Sequence, residues 1–365
     1  MKHLARILAL PILALNALSA GLLLFAAYSP RLSPEDYPLL SCMGLTFPIF
    51  LAINAGFLFL WIALRRYRSA LLPLATLLLC CVQIRTYLPV NFSAARPPEE
   101  SIKLLSYNVM GFGDSTRTDG ENPILTYLKH SGADILCLQE YVVNASSRHP
   151  SQKEVERQLA AYPYRCIHTV GTAKSLTNRL ACYSKFPILS SRILQPAGRH
   201  NGSVLYLLKV GNDTLTLINS HLESNKLTRA DKEAYEDMLD SPGTLNSRFR
   251  LLLRKLAEAS TIRSRQAHAV AHEVAASPYP YVIVCGDFND TPVSYTHRVI
   301  ARPLHDAFVR SGCGPGISYN RNKFYFRIDN ILTSANLKAY RCTVDRSIKA
   351  SDHYPIWCFI AKKRP

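Results

Sequence analysis

Six short runs of this chain carry polar groups where apolar stretches give out. Asn108 closes SYNV, Gln139 and Glu140 close LQE, and Asn219 and His221 lie in NSHLES. Asp287, Asn289 and Asp290 close VCGDFND, Asp329 opens RIDNIL, and Asp352 and His353 open SDHYPI. Each alone has an ordinary explanation, because Asn and Asp are good turn residues and an isolated His is more often structural. Six beside apolar runs fit one shared rim better than six separate turns, since a carboxylate at the mouth of a core strand must stay hydrated or paired. The chemistry of such a rim is narrow. Glu140 with Asn108 offers the hard oxygen ligands preferred by Mg2+, Mn2+ or Ca2+, and the sequence has no Cys/His cluster with zinc spacing. His221 and His353 suit a phosphoryl oxygen on which charge develops. Asp329 is a candidate to fix an imidazole tautomer, and Asp287 to orient or deprotonate an attacking water. These are the parts of metal-assisted phosphoester hydrolysis.

The elements that would position them follow from the pattern after residue 102, where short apolar runs alternate with turns and amphipathic stretches. Strands are expected over residues 103–109, 134–139, 164–170, 180–184, 204–210, 215–220, 281–285, 328–333 and 355–360. Gly211-Asn212-Asp213 between two of them is a hairpin signal. Helices are expected over 122–130, where Pro123 suits a first turn, and over 247–276, where Phe249, Leu252, Leu253, Leu256 and Ala259 fall near one face. This mixture predicts an α/β domain with at least one large sheet.

The first 90 residues obey a different rule. Residues 7–28 and 39–64 hold no charged side chain and are long enough to cross a bilayer, whereas 69–88 is interrupted by Arg85. Lys2 and Arg6 precede the first stretch and Arg65, Arg66 and Arg68 follow the second. Excess positive charge marks the cytoplasmic side, so three crossings would leave the rest of the chain outside. The expectation is a multi-pass protein of a bacterial inner membrane. It has a transmembrane region of about three helices over 1–90, a linker over 91–100 containing Pro97-Pro98, and an extracytoplasmic catalytic domain over 101–365. Were 69–88 re-entrant, two crossings would remain and the domain would face the cytoplasm.

The net charge is +17, and residues 101–365 hold 35 basic against 22 acidic side chains. That balance points to a phosphate-rich partner or anionic headgroups and does not choose between them. Seven of the ten cysteines lie in the domain, an odd number that reads as buried thiols rather than a disulfide framework. Cys166 and Cys182 are the pair whose strands are expected to be neighbours.

SYNV, LQE, SHL, GDFN, RIDNIL and SDHYPI, in this order, resemble the motif series of the endonuclease/exonuclease/phosphatase superfamily. That group includes pancreatic-type DNases, abasic-site endonucleases, bacterial sphingomyelinases and inositol polyphosphate 5-phosphatases. The resemblance spans about residues 101–361 and implies a four-layer α-β-β-α sandwich, two packed mixed sheets flanked by helices, with the site at one edge. It implies Asn108, Glu140 and Asp352 at a Mg2+ or Mn2+ ion, and His221 on the phosphate. Asp287 with Asn289 would handle the water, and Asp329 would orient His353. Two features depart from the pattern or go unassigned. Arg179 in TNRLACYSKFPI stands where relatives often carry glycine, and residues 225–246 match no motif and are read as a loop or lid near the site. SHLES is similar to the tyrosyl-DNA phosphodiesterase branch but is too short to transfer a substrate.

The expected function is a membrane-anchored phosphodiesterase acting on nucleic acid or a phospholipid-type substrate, with no obligate protein partner. The alternative is a non-catalytic, membrane-tethered binder of anionic lipid or nucleic acid. A chemically competent residue at every motif position weighs against that alternative.

Overall fold

The computed structural model describes residues 9–92, 95–113, 121–144, 149–172, 178–196, 198, 200–225, 247–321 and 324–363. Four helices come first: α1 (Ala9–Tyr28), α2 (Phe47–Ala63), α3 (Tyr67–Leu79) and α4 (Cys81–Tyr87). There follow β1 (Ile102–Asn108), α5 (Pro123–His130), β2 (Ile135–Gln139), α6 (Gln152–Gln158), β3 (Tyr164–Thr169), β4 (Arg179–Ser184), β5 (Ile188–Ile193), β6 (Gly202–Val210) and β7 (Asp213–His221). The remainder is α7 (Ser247–Ala276), β8 (Tyr281–Asp287), α8 (Tyr295–Ala301), β9 (His305–Asp306), α9 (Ala307–Ser311), β10 (Tyr319–Arg321), β11 (Phe324–Phe326), β12 (Asp329–Thr333), β13 (Leu337–Val344) and β14 (Ile356–Lys362).

Of the fourteen described strands, β10 and β11 pair as a separate hairpin and the other twelve build two six-stranded sheets, ordered β13-β14-β1-β2-β4-β3 and β5-β6-β7-β8-β12-β9. Each is mixed: β1 and β2 are parallel, as are β7 and β8, and the other pairs are antiparallel. Alternation along a strand explains the layering. Leu104 points into the space between the sheets with Ile135, Leu217, Ile283 and Ile331. Its neighbour Leu105 points outward onto Leu125, Leu128 and Val155 of α5 and α6. On the far side Ile218, Val282 and Val284 meet Ala267 and Val270 of α7 and Ile300 of α8. Strands buried on both faces read as continuous apolar runs, which is why the central ones are visible in sequence. The four-layer sandwich is as expected.

The differences sit at the sheet edges. β5 and β13 were not anticipated, and each is an edge strand whose outward positions are polar, as with Ser190 and Arg192 or Lys338 and Arg341. Edge strands carry such residues to discourage further pairing, and this erases the apolar signal. α5 begins where expected, capped by Asn122, whose side chain accepts from the N–H groups of Ile124 and Leu125.

α1 and α2 are each long and apolar enough to cross a membrane. α3 and α4 would do so only together, and they bend by 63° at their junction. The helices are tied by buried polar contacts: Asn54 Nδ2 donates to Ser19 Oγ at 2.9 Å and Trp61 Nε1 to Asn16 Oδ1 at 3.0 Å.

Candidate active site

Strand register gathers the polar strand ends. Asn108 of β1 stands opposite Gln139 of β2, His221 of β7 opposite Asp287 of β8, and Asp329 of β12 opposite Asp287. The two sheets therefore deliver their polar groups to one edge of the sandwich. Gly286 permits the approach, because its φ is +129° and a Cβ there would overlap the carbonyl oxygen of Ser220. Just past the strand ends, Glu140 and Asn289 both have φ of +51°, a conformation non-glycine residues seldom hold unless their surroundings impose it.

Asp287 Oδ2 is the hub. Asn108 Nδ2 donates to it at 3.2 Å, and the Nε2 atoms of His221 and His353 each lie 3.6 Å away. That Asn108–Asp287 bond joins the two sheets across the edge, and Asn108 Nδ2 also reaches Glu140 Oε1 of its own sheet at 3.2 Å. Asp287 Oδ1 accepts from the Asn289 N–H at 2.8 Å, and the Asn289 side chain is anchored to the Leu222 carbonyl at 2.9 Å. His353 Nδ1 meets Asp329 Oδ2 at 2.8 Å. Asp352 joins through Ser351, whose hydroxyl lies 3.4 Å from its Oδ1. All eight residues given a role from sequence thus fall in one cluster.

The electrostatics divide them. Burial lowers the pKa of His353, but the carboxylates of Asp329 and Asp287 outweigh it and hold the ring well above its ordinary value. For His221 burial wins and the ring is pushed below its ordinary value, so it stays neutral. Burial raises the Asp287 carboxyl, with the histidines opposing it. Glu140 is also raised, first by burial and then by the negative charge of Asp352.

Two groupings could hold a cation. One ligand atom from each of Asp287, Asp329 and His353 falls within a 4.8 Å cluster. That trio is already paired within itself, His353 Nδ1 with Asp329 Oδ2 at 2.8 Å and His353 Nε2 3.6 Å from Asp287 Oδ2. The set of Asn108, Glu140 and Asp352 fits better. Its two carboxylates repel each other at a cost that a divalent cation removes, and Asn108 would complete it by turning toward them the Oδ1 that here accepts from the Met110 N–H at 3.1 Å.

Sequence reasoning missed the residues that hold these groups in place. Gln139 Nε2 donates to Asn219 Oδ1 at 2.7 Å and Ser106 Oγ at 3.1 Å, a buried polar bridge between the sheets beneath the site. Ser351 Oγ donates to the Asn108 carbonyl at 2.8 Å and accepts from the His353 N–H at 3.2 Å. Ser318 Oγ accepts from the N–H groups of Ile328 and Asp329. The Tyr319 ring lies edge-on to His353 with centroids 5.1 Å apart. Gln139 and Asn219 stood out as strand-end polar residues without a role, and nothing in the sequence marks the two serines. Arg179 opens β4 at this same edge, its carbonyl accepting the N–H of Tyr141, next to Glu140. Most of the expected lid, residues 226–246, lies outside the described residues.

The fold resembles known structures at low sequence identity. A humanised D. rerio TDP2 superposes with a TM-score of 0.52 at 16% identity, covering 72% of this chain and all of that one. An endonuclease/exonuclease/phosphatase from Beutenbergia cavernae gives 0.52 at 15% identity, covering 73% of this chain and 72% of that one. The human Nocturnin catalytic domain with bound sulfate gives 0.51 at 16%, covering 74% of this chain and 100% of the other. A sequence search of curated proteins finds no match. Residues 6–87 match a family described as a domain of unknown function. Residues 105–353, which contain every strand-end group above, match the Endonuclease/Exonuclease/phosphatase family model, and the chain belongs to that family.

Proposed function

We propose that this chain is a membrane-anchored, divalent-metal-dependent phosphoester hydrolase, acting chiefly as a phosphodiesterase by water attack. The observation that carries the reading is the surroundings of Asp287 Oδ2, which has a hydrogen-bonded amide and two imidazoles within 3.6 Å. In that setting Asp287, aligned by the Asn289 N–H, takes the proton of an attacking water. His353, kept cationic and oriented by Asp329, and neutral His221 face the oxygens on which charge accumulates. Asn108, Glu140 and Asp352 would hold Mg2+ or Mn2+, which when bound neutralises charge on the phosphoryl group.

The test is hydrolysis of bis(p-nitrophenyl) phosphate and its monoester counterpart by the purified full-length chain in detergent, with Mg2+ or Mn2+ and with EDTA. Diester turnover abolished by chelation is expected. Activity indifferent to EDTA, or unchanged by Asp287→Ala, would remove the mechanism, and turnover of the monoester alone would remove the phosphodiesterase wording.

The same reading takes residues 1–90 as a membrane region of three crossings, with 91–100 as linker and 101–365 as the catalytic domain, outside the cytoplasm at a bacterial inner membrane. Support comes from the helix ends. α3 packs on both α1 and α2, and the domain touches residues 29–46 and the end of α4, whereas Arg65, Arg66 and Arg68 belong to the opposite turn. An alkaline phosphatase fused after residue 365 should be active, and a fluorescent cytoplasmic reporter there would reverse the orientation.

A further inference from the structure

The apolar helices and the domain touch at a particular place. Glu35 Oε1 accepts from Arg265 Nε at 2.7 Å and the Pro34 carbonyl from Thr261 Oγ1 at 3.1 Å, both on α7. Gly44 packs so tightly on Val293 that a Cβ at residue 44 would overlap the Val293 carbonyl oxygen. At the other end of the helical region, the Thr86 carbonyl accepts from Arg327 Nη2 at 2.5 Å and the Pro89 carbonyl from the Gly314 N–H at 2.8 Å.

The partners Val293, Arg327, Thr261 and Arg265 belong to segments that lead to the catalytic edge. Val293 is six residues past Asp287, on the loop that leaves β8, and Arg327 is two residues before Asp329. The stretch of α7 that holds Thr261 and Arg265 also binds Glu223, two residues past His221. There Arg263 Nη1 donates to the Glu223 carbonyl and Gln266 Oε1 accepts the Glu223 N–H, both at 2.8 Å. A groove of about 1450 Å3 lies at the other end of the sandwich. Ile102, Asp213, Tyr281 and Thr333 line it, and they are the ends of β1, β7, β8 and β12 remote from the site.

The turns at this end of the helices therefore pack against the segments that carry the site. Both carry apolar side chains in water-exposed positions. Tyr37, Leu39 and Leu40 are exposed on the turn between α1 and α2. Tyr325 is 55% exposed on the β10–β11 hairpin, whose Tyr319 touches His353, and Leu251 is 49% exposed near the start of α7. Tyr and Leu at such positions favour the boundary between headgroups and acyl chains.

We infer that the site takes a phosphodiester carried by the bilayer itself, a phospholipid headgroup, which enters from the membrane plane. This rests on the hydrolase reading and narrows it. A rim held against the headgroups admits a lipid phosphate by lateral motion and hinders a long polymer from bulk solution. The reaction balances without a further reactant. Water adds to phosphorus, one P–O ester bond breaks, the water proton passes to Asp287, and the leaving oxygen takes a proton from solvent.

The experiment uses the full chain in vesicles of phosphatidylethanolamine and phosphatidylglycerol with Mn2+. Lipid products are read by mass spectrometry beside hydrolysis of bis(p-nitrophenyl) phosphate and of DNA and RNA oligonucleotides. Lipid turnover should exceed oligonucleotide turnover at least tenfold at equal phosphate. It should follow the mole fraction of substrate lipid in the bilayer rather than its bulk concentration. Untouched lipids with active bis(p-nitrophenyl) phosphate turnover overturn the lipid assignment alone, as does preference for an oligonucleotide. Loss of the small diester as well overturns the hydrolase reading with it. Arg265→Glu should lower lipid turnover at least threefold and leave the small diester within twofold, with Glu35→Arg in the same chain restoring the lipid rate. Gly44→Leu should act in the same direction more strongly, its small-diester rate reporting that the domain is folded. Lipid rates equal to wild type in both variants would overturn the docking argument.

Discussion

His297–Asp306 and His353–Asp329 are both buried histidine–carboxylate pairs, with ring-to-oxygen distances of 3.1 and 2.8 Å. Their surroundings are opposite. Asp306 has Arg327 Nη1 at 3.0 Å from Oδ2, and its Oδ1 caps α9 by accepting from the N–H groups of Phe308 and Val309. Burial raises its pKa, but Arg327 and His297 outweigh that and hold the carboxyl well below the usual range. Around His353 the balance is reversed, with Asp287, Asp329, Glu140 and Asp352 gathered near two histidines. Asp329 Oδ1 is buried with no hydrogen-bond partner among the described residues, and burial pushes Asp287 and Glu140 up. Burial and pairing are common to both clusters, so neither identifies a site. Uncompensated negative charge does, because a fold retains it only where something else completes it.

The sharpest way to break that contrast is to delete each histidine. His353→Ala, like Asp287→Ala, should lower kcat for bis(p-nitrophenyl) phosphate about 10²–10⁴-fold with little change in melting temperature. His297→Ala should do the reverse, lowering Tm while the surviving folded enzyme keeps most of its rate. Equal losses of activity from the two substitutions would dissolve the distinction.

Asp306→Asn tests the balanced cluster. It leaves the Arg327 guanidinium buried without its counter-charge, which costs about 3–5 kcal/mol. The pH dependence has a definite sign. A carboxyl held below its ordinary value of 3.8 contributes stability that is complete above that pH and lost as pH falls toward the folded value. Thermal melts of the wild type should therefore fall off below pH ~4, and those of Asp306→Asn should be flatter over the same window. A wild-type Tm that stayed level there would contradict the assignment.

Asp329→Asn should be milder than either, because the amide oxygen still accepts from His353 Nδ1 while the charge that favours the imidazolium is gone. A loss of roughly 10–100-fold in kcat, with Tm preserved, is expected. Full wild-type activity would mean that His353 does not depend on the carboxylate.

The contrast also shows what a sequence discloses. The candidate site residues were legible because core strands end abruptly in Asn, Asp, Glu and His, and because register then carries those ends to one edge. His297 and Asp306 are of the same residue types yet left no such mark, since they sit on a short helix and a two-residue strand. Ser318 and Ser351 were invisible for another reason. Their role is to bond backbone groups of distant segments, and any serine in a turn looks the same. Central strands were found and edge strands β5 and β13 were not, because only strands buried on both faces must be apolar throughout. The contact of Gly44 with Val293 joins residues nearly 250 positions apart, and no local pattern encodes it.

The smallest effect belongs to a third buried cluster, which is neutral. Cys137, Cys182 and Cys285 lie between the sheets, Cys182 stands opposite both Cys137 and Cys166, and all ten cysteines are free thiols. Burial first, then the neighbouring sulfurs, raises the Cys137 thiol well above its ordinary value, which keeps it protonated and slow to react. The Cys166 sulfur is only half-buried, 3.1 Å from Ser191 Oγ and 3.3 Å from His168 Nε2, so a serine hydroxyl there would find partners. Cys166→Ser should change stability by less than about 0.5 kcal/mol. Mild reduction of the wild type should leave Tm unmoved. A Cys166–Cys182 disulfide would behave differently. Such a bond typically contributes 2–4 kcal/mol, and each kcal/mol is worth roughly 2–4 °C in a domain of this size, so reduction would lower Tm by several degrees. A melt with and without dithiothreitol separates the two outcomes, and a drop of that size would replace a cluster of neutral thiols with a covalent staple across β3 and β4.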